Sequence, residues 1–210
     1  MNANHAQSGL RSDLNTIQNW IKPKSRVLDL GCGDGTLLAQ LKKNRDIHGY
    51  GLEINPDQIL ECVKKGVNVI GQNMDENLAN FKTDSFDMVV MTQALQAVHY
   101  PDHVIDEMLR IGKECIITFP NFAHWRCRFY LLAKGRMPVS KNLPYTWYNT
   151  PNIHLCTFRD FEALCHRKSL TILHRTVVDS NAKDSFASKL LPNLFGETAI
   201  YHITRHHSLP

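Results

Sequence analysis

The chain has 210 residues, of which 43% are hydrophobic and 21% are charged, and its formal net charge is +4 at pH 7. These values are ordinary for a soluble globular chain, and no apolar run approaches the roughly 20 residues that a membrane-spanning helix needs. The small positive charge does not by itself indicate nucleic-acid binding. The N-terminal residues lack the apolar core of a signal peptide, so we expect a cytoplasmic protein that is not bound to a membrane.

Six cysteines and eleven histidines show no pattern that is typical of a disulfide or metal site. The cysteines have no C-x-x-C spacing, and the short histidine and cysteine pairs have no second pair at zinc spacing. Most of the cysteines lie inside predicted strands or helices, as small buried hydrophobic side chains do. We therefore expect reduced thiols and no metal site.

The first regular element is predicted after a flexible tail that covers residues 1–11. Ser12 is a suitable N-cap, and Leu14, Ile17 and Ile21 follow at helical spacing on one apolar face. This helix is expected to close one side of a ligand pocket or to cover an edge of the sheet.

The segment from Arg26 to Thr36 combines a short apolar strand with a glycine-rich turn. Gly31, Gly33 and Gly35 follow the strand at alternate positions, and leucines at helical spacing come next. Glycines allow the backbone to turn sharply and to approach a ligand closely. Asp29 precedes the first glycine by two positions, and its negative charge would repel a pyrophosphate but suits a positively charged ligand. The turn therefore differs from the G-x-G-x-x-G turn of dinucleotide-binding proteins.

A second acidic residue, Glu53, ends the next apolar run. A carboxylate at the end of the second strand is well placed to accept hydrogen bonds from both hydroxyl groups of a ribose. The alternative is a purely structural turn in another kind of α/β protein, which would not require both carboxylates and all three glycines. D-x-G-C-G-x-G followed by Glu53 resembles the cofactor site of class I S-adenosylmethionine-dependent methyltransferases.

Five apolar segments alternate with helical patterns, which predicts parallel strands joined by right-handed crossovers. These strands are predicted at residues 27–30, 47–54, 67–70, 88–91 and 115–119.

The last two predicted strands, residues 170–178 and 199–205, are joined by residues 179–198 and are expected to be antiparallel. The predicted fold class is therefore α/β, with a doubly wound, mostly parallel seven-stranded sheet and a C-terminal antiparallel hairpin. The resemblance to class I methyltransferases implies the same Rossmann-like fold. We expect a single domain over residues 12–210.

Two helices have clear N-terminal caps in the sequence. Asn55 is followed by a proline, and the helix that it starts is predicted to bury Ile59, Leu60 and Val63. Thr157 begins a capping box for a later helix.

The candidate cofactor site lies at the carboxyl ends of the first four strands, where open α/β sheets bind their ligands. The resemblance implies S-adenosylmethionine or S-adenosylhomocysteine as the cofactor. Its candidate contacts are Asp29, Gly31, Cys32, Gly33, Gly35, Glu53, Ile54, Asn73, Met74, Asp75 and Thr92. Either Asn73 or Asp75 is placed to accept a hydrogen bond from the adenine amino group, and the pattern does not choose between them.

The regular alternation ends after Pro120. Residues 121–134 form a basic amphipathic segment that Gly135 ends, and residues up to 155 are rich in proline and aromatic side chains without a clear period. A segment of this length and composition in a compact domain is usually functional, although an ordered cover over the sheet is an alternative. The candidate residues of a partner or acceptor face are Trp125, Arg126, Tyr145, Trp147 and Tyr148.

The chain also resembles a narrower family, the MetW proteins of methionine biosynthesis. The matching stretches, in order, are VLDLGCGDGTLL, GYGLEI, QALQAV, FPNFAHWR, GRMPVSKNLPYTWYNTPNIHLCT and RDFEALC. The block from Pro144 to Cys156 is the most specific of them, because generic methyltransferases lack it. Asn73 departs from the aspartate expected at its position. The resemblance implies an S-adenosylmethionine-binding protein that works with homoserine O-acyltransferase.

Two functions of different class follow from these observations. In the first, the chain is a free-standing methyltransferase for a small molecule, since methyl transfer needs little more than an aligned nucleophile. In the second, which we favour, it is an accessory subunit that binds the cofactor and couples its level to the acyltransferase. The N-P-P-Y type of motif is absent after the fourth strand, and no residue receives a catalytic role. A basic RNA-binding face around Arg126 is a weaker alternative, because a solvated helix surface explains the same charges.

Overall fold

The computed structural model describes residues 7–76, 78–140, 143–178, 188 and 190–205. Strands and helices alternate along most of these ranges, as the sequence predicts for an α/β fold, but the described residues between Gly71 and Phe86 contain no helix. Within them, no helix is both long enough and apolar enough to cross a membrane.

Seven strands form one sheet with the order β3-β2-β1-β4-β5-β7-β6. The strands are β1 (Arg26–Leu30), β2 (His48–Glu53), β3 (Asn68–Gly71), β4 (Phe86–Thr92), β5 (Gly112–Pro120), β6 (Leu170–Val178) and β7 (Thr198–Arg205). Strands β1 to β5 pair in parallel, whereas β7 runs antiparallel to both β5 and β6. The predicted fold class is therefore confirmed.

Helices cover both faces of this sheet. They are α1 (Gln7–Trp20), α2 (Thr36–Arg45), α3 (Pro56–Lys64), α4 (Pro101–Ile111), α5 (Trp125–Lys134), α6 (Phe158–Arg167) and the short α7 (Pro192–Phe195), with a 3-10 turn at Leu95–Ala97. Successive residues of a strand point to opposite faces. Accordingly, Leu28 packs in the cluster that includes residues of α4 and α6, while Val27 packs in the cluster that includes residues of α1 and α2.

The first helix starts earlier than the sequence pattern predicts. Helix α1 begins at Gln7, so Ser12 lies inside it and the prediction that Ser12 is its N-cap is wrong. The predicted apolar face is confirmed, because Leu14, Ile17 and Ile21 are buried. These buried residues all follow Ser12, so they stabilise the helix after that position but do not account for its earlier start. Residues 1–6 of the expected tail lie outside the described ranges.

Helix α3 has the predicted cap but a different buried face. The Asn55 side chain accepts hydrogen bonds from the main-chain N–H groups of the first turn, which confirms the N-cap. Leu60 and Val63 are exposed, however, and Cys62 is the fully buried residue. The helix lies beside β3, a four-residue edge strand, and its Cys62 side packs under the glycine-rich turn. There is consequently little sheet surface for Leu60 and Val63 to cover.

The segment after β5 contains one helix and an irregular stretch. Helix α5 ends at Gly135, whose φ of +59° is the left-handed conformation of a C-terminal cap, so the predicted end is confirmed. Thr157 caps α6 as predicted and accepts a hydrogen bond from the N–H of Asp160. The predicted connection at residues 179–198 lies partly outside the described ranges.

Trp20 at the end of α1 packs on a pair of histidines near the β6 edge of the sheet. Its ring lies 5.3 Å from the ring of His174 and 5.7 Å from that of His202. The two Nδ1 atoms of these histidines are 3.0 Å apart, and His202 Nε2 donates to Glu114 at 2.7 Å. Burial lowers the pKa of His202 below 6.5, although Glu114 opposes that effect and Lys22 adds to it. The neutral ring is therefore the form that the fold favours.

We predict that the free energy of unfolding decreases as the pH falls below 6.5, because the unfolded chain binds a proton at His202 more readily than the folded chain does. Denaturant titrations at several pH values measure this slope. His202→Gln should flatten the slope, whereas the exposed His103→Gln should preserve it. Equal slopes in wild type and His202→Gln would contradict the assignment.

Candidate functional site

The candidate site lies where the strand order reverses. Strand β1 pairs with β2 on one side and with β4 on the other, so the carboxyl ends of these strands surround the crevice in which open α/β sheets bind ligands. Asp29 is near the end of β1, Glu53 ends β2 and Thr92 ends β4. The fold therefore brings together residues that are far apart in the sequence.

Glycine occupies the three positions of the turn for different structural reasons. All three have positive φ angles, of +71° at Gly31, +54° at Gly33 and +72° at Gly35. A Cβ at Gly31 would lie 2.8 Å from Met74 Cε, and one at Gly35 would lie 2.9 Å from Cys62 Sγ. Glycine is thus favoured at positions 31 and 35 by the positive φ angle and by side-chain neighbours that would have to shift to admit a Cβ. At Gly33 the nearest atom to such a Cβ is a glutamine oxygen 3.9 Å away, so this glycine faces open space that a ligand can enter.

Glu53 holds the turn and the start of α3 together. Its Oε2 accepts the N–H of Gly33 at 3.0 Å, and its Oε1 accepts the N–H groups of Ile54 and Asn55 at 2.8 and 2.9 Å. A carboxylate has about four lone-pair positions, so about one remains. To accept both hydroxyl groups of a ribose, Glu53 would have to release one of its main-chain bonds.

Asp29 is a buried carboxyl group that no described residue hydrogen-bonds. The residue is fully buried, and neither side-chain oxygen is hydrogen-bonded by any residue that the structure describes. Burial, and secondarily the charge of Glu53, raises the pKa of Asp29 from 3.8 to about 8. An unpaired buried carboxyl group is unfavourable for the fold, and a positive group beside it would restore its ionised form. The chemistry of Asp29 therefore suits a ligand ammonium group, and such a group would reach the fully buried oxygens only after a movement of the turn.

Cys32 and Cys62 fill the space below the turn. Their Sγ atoms are 3.8 Å apart, and Cys62 donates to the carbonyl oxygen of Gly33 at 3.1 Å. Burial raises the pKa of both thiols, so they remain protonated. The main-chain N–H of Cys32 donates to Leu52 at 2.9 Å. The cysteines therefore act in packing the turn.

The loop after β3 is folded back on itself and onto the loop after β4. Asn73 Oδ1 accepts the N–H of Asp75 at 3.0 Å, which forms a local turn. The Asp75 carboxylate accepts the N–H and the Nδ1–H of His99, both at 2.9 Å. Met74 packs beside Gly31. The choice between Asn73 and Asp75 as the adenine contact stays a prediction.

Two further positions at the mouth of the crevice differ in character. Ile54, directly after Glu53, is exposed and offers an apolar surface for a base. Gln93, directly after Thr92, has a φ of +52°, which is unusual for a residue with a side chain. Its N–H donates to both oxygens of Thr118, at 3.0 Å to the carbonyl and 2.9 Å to the hydroxyl. This strained position could not be read from the sequence, because no glycine marks it.

The five aromatic and basic candidates after β5 lie on an exposed surface. The guanidinium of Arg126 lies 5.5 Å from the centre of the Trp125 ring, a cation–π contact at the start of α5. Trp147 and Tyr148 pack edge to face with ring centres 5.7 Å apart. Both of these rings and Tyr145 are exposed. The structure therefore groups Trp125 with Arg126, and Trp147 with Tyr148.

Hydrogen bonds that sequence analysis missed join this surface to the crevice. His154 Nε2 donates to the carbonyl oxygen of His99 at 3.2 Å, and His99 in turn holds Asp75. The N–H groups of Ile153 and His154 donate to the carbonyl oxygen of Gln96 at 2.8 and 3.0 Å. These contacts link positions 24 and 55 residues apart, and no local motif marks them.

Among the described residues, no group of three histidine, cysteine or acidic side chains is arranged to hold a metal ion.

A family model described as "Methionine biosynthesis protein MetW" matches residues 11–203. The chain is 32% identical over 200 residues to the "Bifunctional methionine biosynthesis protein MetXA/MetW" of Rhodopirellula baltica, which covers 91% of this chain and 32% of the relative. It is also 32% identical over 158 residues to a ubiquinone biosynthesis O-methyltransferase of Hahella chejuensis, covering 65% of this chain and 66% of that protein. The chain thus spans about a third of the length of the first relative.

Solved structures share the fold at low sequence identity. Magnesium protoporphyrin IX methyltransferase from Synechocystis PCC 6803 with bound S-adenosylhomocysteine has a TM-score of 0.68 at 15% identity, covering 98% of this chain and 88% of that one. The [4+2]-cyclase SpnF has a TM-score of 0.64 at 17% identity, covering 94% and 81%. The fold is that of the class I S-adenosylmethionine-dependent methyltransferases, and from its sequence the chain belongs to the MetW family of methionine biosynthesis proteins.

Proposed function

We propose that this protein binds S-adenosylmethionine or S-adenosylhomocysteine at the glycine-rich turn and acts as an accessory subunit of homoserine O-acyltransferase. The observation that carries the proposal is the hydrogen-bond chain from Asp75 through His99 to His154. One end of this chain is a candidate cofactor contact, and the other end belongs to the exposed segment after β5. A ligand that moves the loop after β3 would therefore also move, through these hydrogen bonds, a surface that a partner can contact.

The residues present fit the proposed cofactor. Asp29 would pair with its amino group, Glu53 would accept from the ribose, and Ile54 would contact the base. Gly33 leaves room for close approach of the ligand to the main chain. When bound, S-adenosylmethionine supplies a methyl group activated by its sulfonium. In the accessory role the chain holds this cofactor without having to transfer the methyl group.

The proposed partner is supported by a relative and by the family resemblance. The Rhodopirellula relative is named as bifunctional, so a second methionine biosynthesis function shares its polypeptide. Functions joined in one chain commonly work together, and the MetW resemblance implies homoserine O-acyltransferase as that partner. Since S-adenosylmethionine derives from methionine, cofactor binding would report the level of the end product to an early enzyme of the pathway.

A free-standing small-molecule methyltransferase is the second candidate, because the chain is similar to ubiquinone biosynthesis O-methyltransferases. The polar side chains near the ends of β4 and β5 favour the accessory role instead. Asn121 Nδ2 donates to Gly196 at 2.8 Å and its Oδ1 accepts from Ala123, while His124 Nδ1 caps α5. Gln96 Nε2 donates to the carbonyl oxygen of Gln93 at 2.8 Å, within the loop after β4, whereas its buried Oε1 accepts no hydrogen bond from the described residues. Asn121 and His124 hold the segment after β5 in place, so these two side chains are committed to the fold. A shared fold also does not fix the reaction.

We predict that Gly33→Val abolishes binding of S-adenosylhomocysteine, because the side chain would enter the space that the ligand needs. Calorimetric titration measures the affinity. Gly135→Val is the matched control, since Gly135 has a similar φ of +59° and also has open space around its Cβ position. Both variants should therefore lose similar stability from backbone strain, and only Gly33→Val should lose the ligand. Equal ligand affinity in the two variants would place the ligand elsewhere.

We predict that cofactor binding releases a proton from Asp29. The pKa of this carboxyl group is about 8 before binding, and a ligand ammonium would lower it, so affinity should rise as the pH approaches 8. Calorimetry in two buffers with different ionisation enthalpies counts the released protons. Asp29→Asn should bind more weakly and release none, whereas the exposed Asp46→Asn should behave like wild type. Binding heats that do not depend on the buffer in the wild type would contradict the prediction.

Homoserine acylation and consumption of S-adenosylmethionine, measured in the same tubes, test the accessory role. We expect this chain to raise the acylation rate of the acyltransferase from the same organism, to do so less at saturating cofactor, and to consume no cofactor. The His99→Ala variant should still bind the cofactor but should no longer raise the acylation rate. The exposed His103→Ala is the control and should behave like the wild type. Unchanged acylation together with steady methyl transfer to a small acceptor would establish the methyltransferase alternative instead.

A further inference from the structure

Helix α5 presents its largest apolar side chains to solvent. Trp125 is 43% exposed, Phe129 is 63% exposed and Leu132 is 85% exposed. Tyr130 and Leu131, on the other side of the helix, are also exposed, at 39% and 43%, and Cys127 is the residue of this helix that is buried. At about 100° per residue, Trp125, Phe129 and Leu132 lie within about 60° of one another, and Cys127 lies on the opposite side. Single exposed apolar residues are common, but three in one ridge on a helix are typical of a binding surface.

The ridge is held in a fixed orientation. His124 caps the first turn by accepting the N–H of Arg126 at 3.3 Å, and Gly135 ends the helix. Arg128 Nε donates to the carbonyl oxygen of Ala123 at 2.6 Å, and its Nη2 reaches Asn193 at 3.4 Å. A helix that is already anchored loses little conformational freedom on binding, which favours association.

The charged residues of the segment that carries the ridge are all positive in the sequence. On the opposite side of the helix, burial, and secondarily the charge of the nearby Glu197, raises the pKa of Cys127. Residues 121–157 contain five lysines and arginines and no aspartate or glutamate. On the helix itself, Arg126 and Arg128 flank the ridge on its two sides, at about 100° and 60° from Trp125. A complementary partner surface is therefore an apolar groove with carboxylates along its rim.

We infer that helix α5 docks into an apolar, acidic-rimmed groove of the homoserine acyltransferase through the ridge of Trp125, Phe129 and Leu132. This inference rests on the proposed function and adds the contact face and its chemistry. Three side chains spaced i, i+4 and i+7 are the usual anchors when a groove receives a helix. Large aromatic anchors flanked by arginine also match the composition of residues that contribute most to binding energy at interfaces.

Binding of the acyltransferase to single variants of the full chain tests this inference. Phe129→Asp and Leu132→Asp should each weaken association at least tenfold, because an aspartate would face both the apolar groove and its acidic rim. Val63→Asp is the matched control, since Val63 is 60% exposed on α3, and its affinity should stay within twofold of wild type. Affinity of the wild type should fall with added salt. Melting curves and S-adenosylhomocysteine affinity, unchanged in all variants, exclude loss of fold.

Different outcomes of this experiment test the ridge assignment and the proposed function separately. If the wild type does not bind or affect the acyltransferase, the proposed function fails and the inference fails with it. If the wild type binds and both ridge variants bind equally well, only the ridge assignment is overturned. Ridge variants that lose self-association or RNA binding, with partner affinity intact, would likewise overturn it and assign the ridge to a second copy or to RNA.

Discussion

The buried carboxyl group of Asp29 is the constraint on which the site depends. Its two oxygens receive no hydrogen bond from the described residues, and the nearby Glu53 adds a second negative charge. Such a group disfavours folding unless it remains protonated or a cation compensates it. The surrounding fold tolerates this cost because β1 is held between β2 and β4 and the turn is fixed by Glu53. The protein thus keeps a buried, mainly protonated carboxyl group where a cationic ligand would favour its ionised form.

The position of the exposed segment follows from sheet topology. Strand β5 runs parallel to β4, so the chain leaves it at the same edge of the sheet that carries the glycine-rich turn. Hydrogen bonds from Ile153 and His154 to Gln96 then fasten the segment beside the crevice. The proposed ligand site and the proposed partner surface are therefore neighbours because of the fold. A subunit that reports ligand occupancy requires this proximity but not a catalytic group.

Local sequence signals predicted those features that local physics determines. The glycine-rich turn, the Asn55 and Thr157 caps and the Gly135 helix end each depend on a few adjacent residues, and each is present. Periodicity failed for α3, because exposure of Leu60 depends on how much sheet lies beneath the helix. The hydrogen bond from His154 to His99 could not be predicted, since it arises only when two loops meet at one edge of the sheet.

Ligand binding at the glycine-rich turn is expected to alter the segment after β5. Amide hydrogen exchange with and without S-adenosylhomocysteine measures this directly, because the N–H groups of Ile153 and His154 donate to Gln96 and report on that attachment. We predict that the ligand slows exchange at Gly33 and changes exchange at Ile153 and His154 together. A change confined to the glycine-rich turn, with identical exchange at Ile153 and His154, would contradict the account.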